Sequence, residues 1–267
     1  MVDALGDIEW KSLRHDLGPA GDIPVLLLAA RTSDAVHRDL EDRLNSNEFE
    51  VSEAAAAAWP FVLELAASPD TPSREWLLDG LYASNAELGA RIGGPWTQAW
   101  EAAKPALLAL LDDPSPEMRR SALFVVGQGR GDSSLVLPAL SRRWSVETDP
   151  VTRLWIVYAA VEFAGFGDEA TVSWLQSLVV PDDEPEARML VSAAVRPDAA
   201  VIVRGLTGNL GLFLAATSQE MGYDQVLEHV LWLLRDNASA RIALGLKLLE
   251  EPSWRQEALE ILHSEGK

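Results

Sequence analysis

Pro105-Ala106-Leu107-Leu108-Ala109-Leu110-Leu111-Asp112-Asp113-Pro114-Ser115-Pro116-Glu117-Met118-Arg119-Arg120-Ser121-Ala122-Leu123 is the stretch whose reading decides the fold. Apolar residues recur every three or four positions in 106–111 and again in 118–126, which predicts two helices that each carry a buried stripe. The turn between them is rich in Asp and Pro. Pro116 falls at the start of the second helix, where a missing amide proton costs little and the fixed φ is already helical. A neighbouring Ser or Asp can cap the free amides there, and Glu117 lies in the favourable first turn.

The same pattern recurs along the chain. Leu137 to Leu140 leads through Thr148-Asp149-Pro150 to Val151-Thr152-Arg153, and Val172 to Val180 leads through Pro181-Asp182-Asp183-Glu184-Pro185 to Glu186-Ala187-Arg188. Looser copies run from Trp59 through Ser68-Pro69-Asp70-Thr71-Pro72 to Arg74, and from Ile23 through Ser33-Asp34 to Arg38. The arginines at 38, 74, 119, 153 and 188 are separated by 36, 45, 34 and 35 residues. Three of these intervals fit a unit of two helices and two turns, and the long one predicts an insertion between Ala83 and Thr97. A helix pair with one apolar face is stable only when neighbouring pairs cover it, so a stacked array is expected.

The D-P-x-x-E-x-R-x-x-A-L form at Asp113–Leu123 resembles the signature of the HEAT-repeat superfamily, close to its bacterial, PBS-lyase-like variety. The expected fold is all-α: a HEAT-like α–α solenoid of about six helix pairs with terminal capping helices. One domain over residues 1–267 is expected, with an N-terminal capping helix in 1–22, recognisable repeats in 23–195, and degenerate repeats with a C-terminal cap in 196–267. In that family the turn Asp and the second-helix Arg form a polar ladder between successive repeats. Carried over, the resemblance implies Asp113 with Arg119, Asp149 with Arg153 and Asp183 with Arg188, and Arg74 and Arg38 match less well. Such a scaffold specifies a fold and leaves its function open.

Outside the best copies, Trp10, Leu13 and Leu17 stand at helical spacing. Gly89, Gly93, Gly94 and Pro95 predict a loop ending near Pro95, with Trp96 and Trp100 opening the next helix one turn apart. In 200–218, Gly205, Gly208 and Gly211 allow close helix contacts or break the helix. Residues 225–234 and 238–249 read as a further pair, and 254–263 as the terminal cap. No Pro/Ser-rich linker divides the chain.

Composition narrows the chemistry. Lys and Arg number 22 against 41 Asp and Glu, a formal charge of -19. That field repels phosphate backbones and anionic lipid, so nucleic acid and membrane are disfavoured and a basic protein partner is favoured; the same acidity also serves solubility. There is no cysteine, hence no disulfide, thiolate ligand or cysteine nucleophile. The N-terminus lacks the pattern of a signal peptide, and apolar runs such as 25–30 and 201–203 are too short to cross a bilayer, so a cytoplasmic location is expected.

No catalytic, metal or cofactor-binding residue is assigned. His15, His37, His229 and His263 stand apart, with no two at i,i+4 as in H-E-x-x-H. His37, beside Arg38, reads as a surface or interhelix residue. The carboxylate groups at 112–113, 182–184 and 250–251 fall in exposed turns, where water screens them and nothing drives their pKa values apart. Residues 127–132, rich in Gly, follow a helix and lack the Gly-Lys-Ser/Thr ending of a phosphate loop, so a helix C-cap explains them. A DNA-glycosylase-like reading needs a strongly positive face, and no Lys lies between Lys11 and Lys104 or between Lys104 and Lys247.

A stacked array presents its second helices along one face. Aligning Pro116 with Pro150 sets Arg120 over Leu154, Phe124 over Tyr158 and Gln128 over Glu162, with Met118, Ala122 and Val125 as the buried stripe. Arg120, Phe124, Gln128, Trp155, Tyr158 and Glu162 thus form a candidate partner-binding strip, since aromatics and Arg anchor interfaces most often; packing against an adjacent helix is the alternative. Trp96 and Trp100 join the candidates because they adjoin the glycine-rich loop, whereas Trp59, Trp76 and Trp174 read as core. The function expected is a non-enzymatic protein-binding scaffold or adaptor. The alternatives are an inhibitor or immunity-like protein that neutralises a basic partner and, following the resemblance, an enzyme or lyase subunit.

Overall fold

In the computed structural model, residues 2–45, 51–79, 85–86, 89, 94–129, 133–208 and 223–265 are described. The helices are α1 Val2–Gly6, α2 Ile23–Ala30, α3 His37–Leu44, α4 Glu53–Ala66, α5 Pro95–Ala109, α6 Pro116–Gln128, α7 Val136–Val146, α8 Pro150–Gly165, α9 Glu169–Ser177, α10 Pro185–Val195, α11 Ala199–Leu206, α12 Tyr223–Leu233, α13 Ala238–Leu248 and α14 Arg255–Glu265. Residues 74–79 are also helical. The fold is all-α and HEAT-like, with a single two-residue antiparallel ladder of Arg14–His15 on Gly18–Pro19 among the described residues. Among those residues no helix is long and apolar enough to cross a membrane.

Helix starts follow the sequence rules closely. Pro116 and Pro150 each occupy the first helical turn, capped by Ser115 Oγ on the Met118 amide at 3.1 Å and by Asp149 Oδ2 on the Thr152 amide at 2.8 Å. Pro185 opens α10, but its neighbour Glu184 makes no capping bond. Asp168, Asp198 and Asn237 cap α9, α11 and α13 in the same way. Pro95 begins α5 after Gly94, whose positive φ of 80° turns the chain into the helix. Helix α5 then runs on through Pro105, and α4 runs through Pro60, so each proline removes one internal hydrogen bond without ending its helix.

The contacts of the chain divide it into two compact units, the first holding described residues up to 139 and the second those from 140. The division falls inside α7, where no change of composition marks it. In the first unit α4 packs on α2, α3 and α5, and α5 on α6. The expected single capping helix at the N-terminus is instead short α1, a 3-10 turn at Trp10–Ser12 and the two-residue ladder, because Gly6, Gly18 and Pro19 interrupt the helical spacing. This segment is anchored by Trp10, whose indole donates to the Leu5 carbonyl at 2.9 Å and meets Phe61 at 6.1 Å between ring centroids.

In the second unit α8 packs on α9, α10 and α12, α10 on α11, α11 on α13, and α13 on α14. Gly205 permits the α10–α11 approach, since a Cβ there would stand 2.4 Å from Met189 Cβ. Gly211 and residues 130–132 lie outside the described residues.

The first core centres on Trp59, Trp96 and Trp100. Trp59 stacks on Trp100 at 6.1 Å and 8°, and Trp96 closes the group at 5.7 Å from Trp59. Met118, Ala122 and Val125 are fully buried, as the stripe on α6 predicts. Gly129, just past α6, is the floor on which Trp100 rests: a Cβ there would lie 1.8 Å from the indole Cζ2. Gly129→Ala therefore forces the indole cluster apart, and urea unfolding is expected to show a loss of about 2 kcal/mol, whereas the same change at unobstructed Gly6 leaves stability nearly unchanged.

Candidate protein-interaction surface

Two arginines reach forward to an acidic residue of the next turn, with partners other than those the resemblance implied. Arg74 reaches forward to Asp113, its two terminal nitrogens donating to the two carboxylate oxygens at 2.8 and 2.7 Å, and both side chains are only 8% exposed. Arg74 also donates to the Ala66 carbonyl at 3.1 Å, and Asp113 accepts from the Ser115 amide at 2.8 Å. Burial raises the Asp113 pKa, but the Arg74 hydrogen bonds and the Ser115 amide outweigh it, and the carboxyl is held below its ordinary range. Arg153 repeats the forward reach, its Nε lying 3.2 Å from Glu184 of the next turn while its guanidinium covers the Trp144 ring at 4.4 Å.

The contacts of the residues paired within one repeat are more varied. Arg119 donates to the Asp113 and Pro114 carbonyls at 2.9 and 3.1 Å, and its charge also helps to lower the Asp113 pKa. Asp149 is used in capping Thr152, and Arg188 pairs with Asp182 instead of Asp183. Arg119, Arg153 and Arg188 each stand three residues past the proline that opens their helix, so position alone does not choose between local partners and the next turn. Only a long Arg aimed along the stack meets the next turn's acid.

The candidate binding strip lies mostly inside the protein. Trp96, Trp100, Phe124, Trp155, Tyr158 and Glu162 are all buried, and Arg120 and Gln128 are half-buried. Arg120 is tied to its own helix through the Pro116 carbonyl at 3.1 Å and Glu117 at 2.8 Å. The reason is visible in α8, which is buried without interruption from Leu154 to Phe163. With α9, α10 and α12 all against it, this second helix is enclosed on several sides and has no face to offer. Trp76 and Trp174, which the sequence assigns to the core, are half-buried.

Inside the second unit these residues form an aromatic chain that sequence spacing did not disclose. Trp155 meets Tyr158 edge-on at 4.9 Å, Tyr158 meets His229 at 5.2 Å, and His229 stacks near Trp232 at 5.6 Å. His229 Nδ1 lies 3.3 Å from Glu162 Oε1, and its Nε2 is buried without a hydrogen-bond partner. Burial lowers the His229 pKa to about 4, so the imidazole is neutral at pH 7. Glu162 thus holds the imidazole orientation across the α8–α12 contact.

The surface itself offers an acidic groove on the first unit. Asp34, Arg38, Glu41, Asp42 and Trp76 line a hollow of about 690 Å³, together with His37. The 3-10 turn Asp34–Val36, fixed by Ser33 Oγ accepting from the Ala35 amide at 3.2 Å, sets His37 at the start of α3. His37 lies flat on Trp76, 4.5 Å between centroids and 8° between planes. Burial lowers the His37 pKa, opposed in part by Asp34, and the stack is neutral. Among the described residues none of the three carboxylates is paired with a cation, and Arg38 is the one guanidinium in the wall. The hollow therefore suits a cationic side chain that sets its charge among carboxylates beside an indole. The signal was present in the sequence as a helical stripe of residues 34, 38, 41, 42 and 45. Among the described residues no group of three metal-ligating side chains stands together.

Residues 101–196 of the 267-residue chain match the family model of HEAT repeats. The matched segment runs from within α5 to the end of α10. No curated protein and no solved structure matches the sequence.

Two outcomes test the interior polar groups. Asp113→Ala leaves the buried Arg74 charge with only the longer ionic contact to Glu75 at 3.8 Å and is expected to cost about 3 kcal/mol, with Arg74→Met/Asp113→Ala costing clearly less than the two single changes added together; urea unfolding of the four proteins measures this. For His229, the folded pKa lies below the unfolded value of 6.5, so its contribution is full above pH 6.5 and is lost as pH falls toward 4. Between pH 7 and 4.5 the chain is expected to lose about 2 kcal/mol that His229→Gln does not lose, measured as the pH dependence of unfolding midpoints.

Proposed function

We propose that this protein is a non-enzymatic protein-binding scaffold whose acidic surface holds a basic protein partner. The observation that carries the reading is the groove at α3. Three carboxylates without cationic partners among the described residues surround a neutral His37–Trp76 stack, in a chain whose formal charge is -19. HEAT repeats in residues 101–196 supply a scaffold commonly used for protein interaction. The charge accelerates encounter with a positive partner and repels phosphate polymers, so the association rate should fall steeply with salt. A partner whose own activity depends on its basic patch is neutralised by such contact, which makes inhibition the more specific form of the same function.

The test is capture of partners by the full chain from its source, followed by association kinetics with the purified partner. A stoichiometric basic protein is expected. Its association rate should drop about tenfold between low and physiological salt, and Glu41→Gln/Asp42→Asn or Trp76→Ala should weaken binding by roughly tenfold. A neutral or acidic partner, or affinity unchanged in these variants, would refute the reading. Loss of the partner's activity in the complex would establish the inhibitory form.

A further inference from the structure

The second unit carries a groove of a different kind. About 650 Å³ in volume, it is lined by Leu227, Glu228 and Leu231 of α12 and by Glu257, Glu260 and Ile261 of α14. Leu227 and Ile261 form a buried apolar floor, and Leu231 is half-exposed above it. Leu227 and Leu231 stand one helical turn apart, and the α14 wall, from Glu257 to Ser264, extends about 10 Å. The walls are held by Arg241. Its guanidinium donates to Glu265 of α14 at 2.5 and 3.0 Å and to the Leu234 carbonyl just beyond α12 at 3.0 Å.

The rim is acidic and largely unsatisfied. Among the described residues Glu228 and Glu257 have no cationic partner, and Glu257 Oε2 is buried with no hydrogen bond at all. Among the described residues Glu260 accepts a hydrogen bond from the neutral Gln256 amide at 3.2 Å and has no cationic partner. A buried carboxylate oxygen without a partner is costly and is relieved by a cation that enters the groove.

We propose that this groove docks an amphipathic helix of a basic protein, with its apolar ridge on Leu227, Leu231 and Ile261 and its Lys or Arg side chains on Glu228, Glu257 and Glu260. The inference rests on the protein-binding reading above and gives the partner a secondary structure. An apolar ridge repeating at i, i+4 and i+7 fits walls two turns long, and flanking cations match the rim. A second copy of this chain is disfavoured as occupant, because a molecule of charge -19 would bring more negative charge to a negative rim.

The probe is a fluorescent two-heptad peptide of Leu and Lys, with Leu in one helical stripe, titrated into the full chain. An isomer of identical composition with its Leu residues scattered is the control. The striped peptide is expected to bind roughly tenfold more tightly than the scattered one. Leu231→Ser and Glu257→Gln/Glu260→Gln should each weaken the striped peptide by roughly tenfold, while Glu9→Gln, exposed and outside both grooves, leaves it unchanged. Circular dichroism melts establish that each variant is folded, and the isosteric Gln pair stands independently of the leucine change. Equal binding of both peptides, or unchanged affinity in the groove variants, would overturn the proposal. So would a dimer in sedimentation equilibrium that Leu231→Ser dissociates. None of these results touches the α3 groove, which is read through Glu41, Asp42 and Trp76.

Discussion

A helix pair with one apolar stripe cannot bury that stripe by itself, and this requirement governs most of what the chain does with its large side chains. Within each unit the inward positions are claimed by neighbouring helices before any are free to bind a partner. Trp59, Trp96 and Trp100 close one core and Trp155 lies fully inside the other. Burying such a ring removes roughly 150–250 Å² from water, far more than an exposed contact of the same ring recovers. Aromatics on a second helix are therefore drawn inward wherever the surrounding helices leave room.

Charge is arranged by the same constraint. Where an Arg can reach the next turn, as Arg74 reaches Asp113, it satisfies a buried carboxylate and links successive helix pairs. The contacts of Arg119 with its own turn's carbonyls and of Arg188 with Asp182 are shorter in range. Such a pair need not add much net stability, since desolvation offsets much of the attraction. Its effect is on register: a two-pronged guanidinium–carboxylate contact fits one offset between neighbouring pairs and penalises the others.

Much of the fold was legible because local rules and global packing agree. Pro95, Pro116, Pro150 and Pro185 each begin a helix, and the apolar spacing on α6 identifies Met118, Ala122 and Val125 as interior. The interruption at 1–22 was less visible, because Trp10, Leu13 and Leu17 keep helical spacing while Gly18 and Pro19 break the backbone. The division inside α7 leaves no compositional mark at all. Most of the strip's side chains are buried for a geometric reason. Repeat alignment puts Phe124 and Tyr158 at equivalent positions but is silent on how many helices surround them. Conversely, residues 34, 38, 41, 42 and 45 already formed a polar stripe, and only the stacking of His37 on Trp76 turns that stripe into a hollow.

In the two proposed grooves, carboxylates and apolar ground would contribute differently to binding. Exposed carboxylates are screened and contribute little affinity each, so an acidic rim chiefly governs encounter rate and choice of sign. Affinity must come from surface that water leaves on contact. In the first unit that surface is the His37–Trp76 stack, and in the second it is Leu231 above the Leu227 and Ile261 floor. A flat neutral stack accepts a planar or cationic side chain, whereas a trough with aliphatic walls accepts a ridge of them. An acidic surface lacking such apolar ground would attract many basic proteins and retain few. The pairing of carboxylates with desolvatable ground is therefore the feature that separates a binding surface from one that is merely soluble.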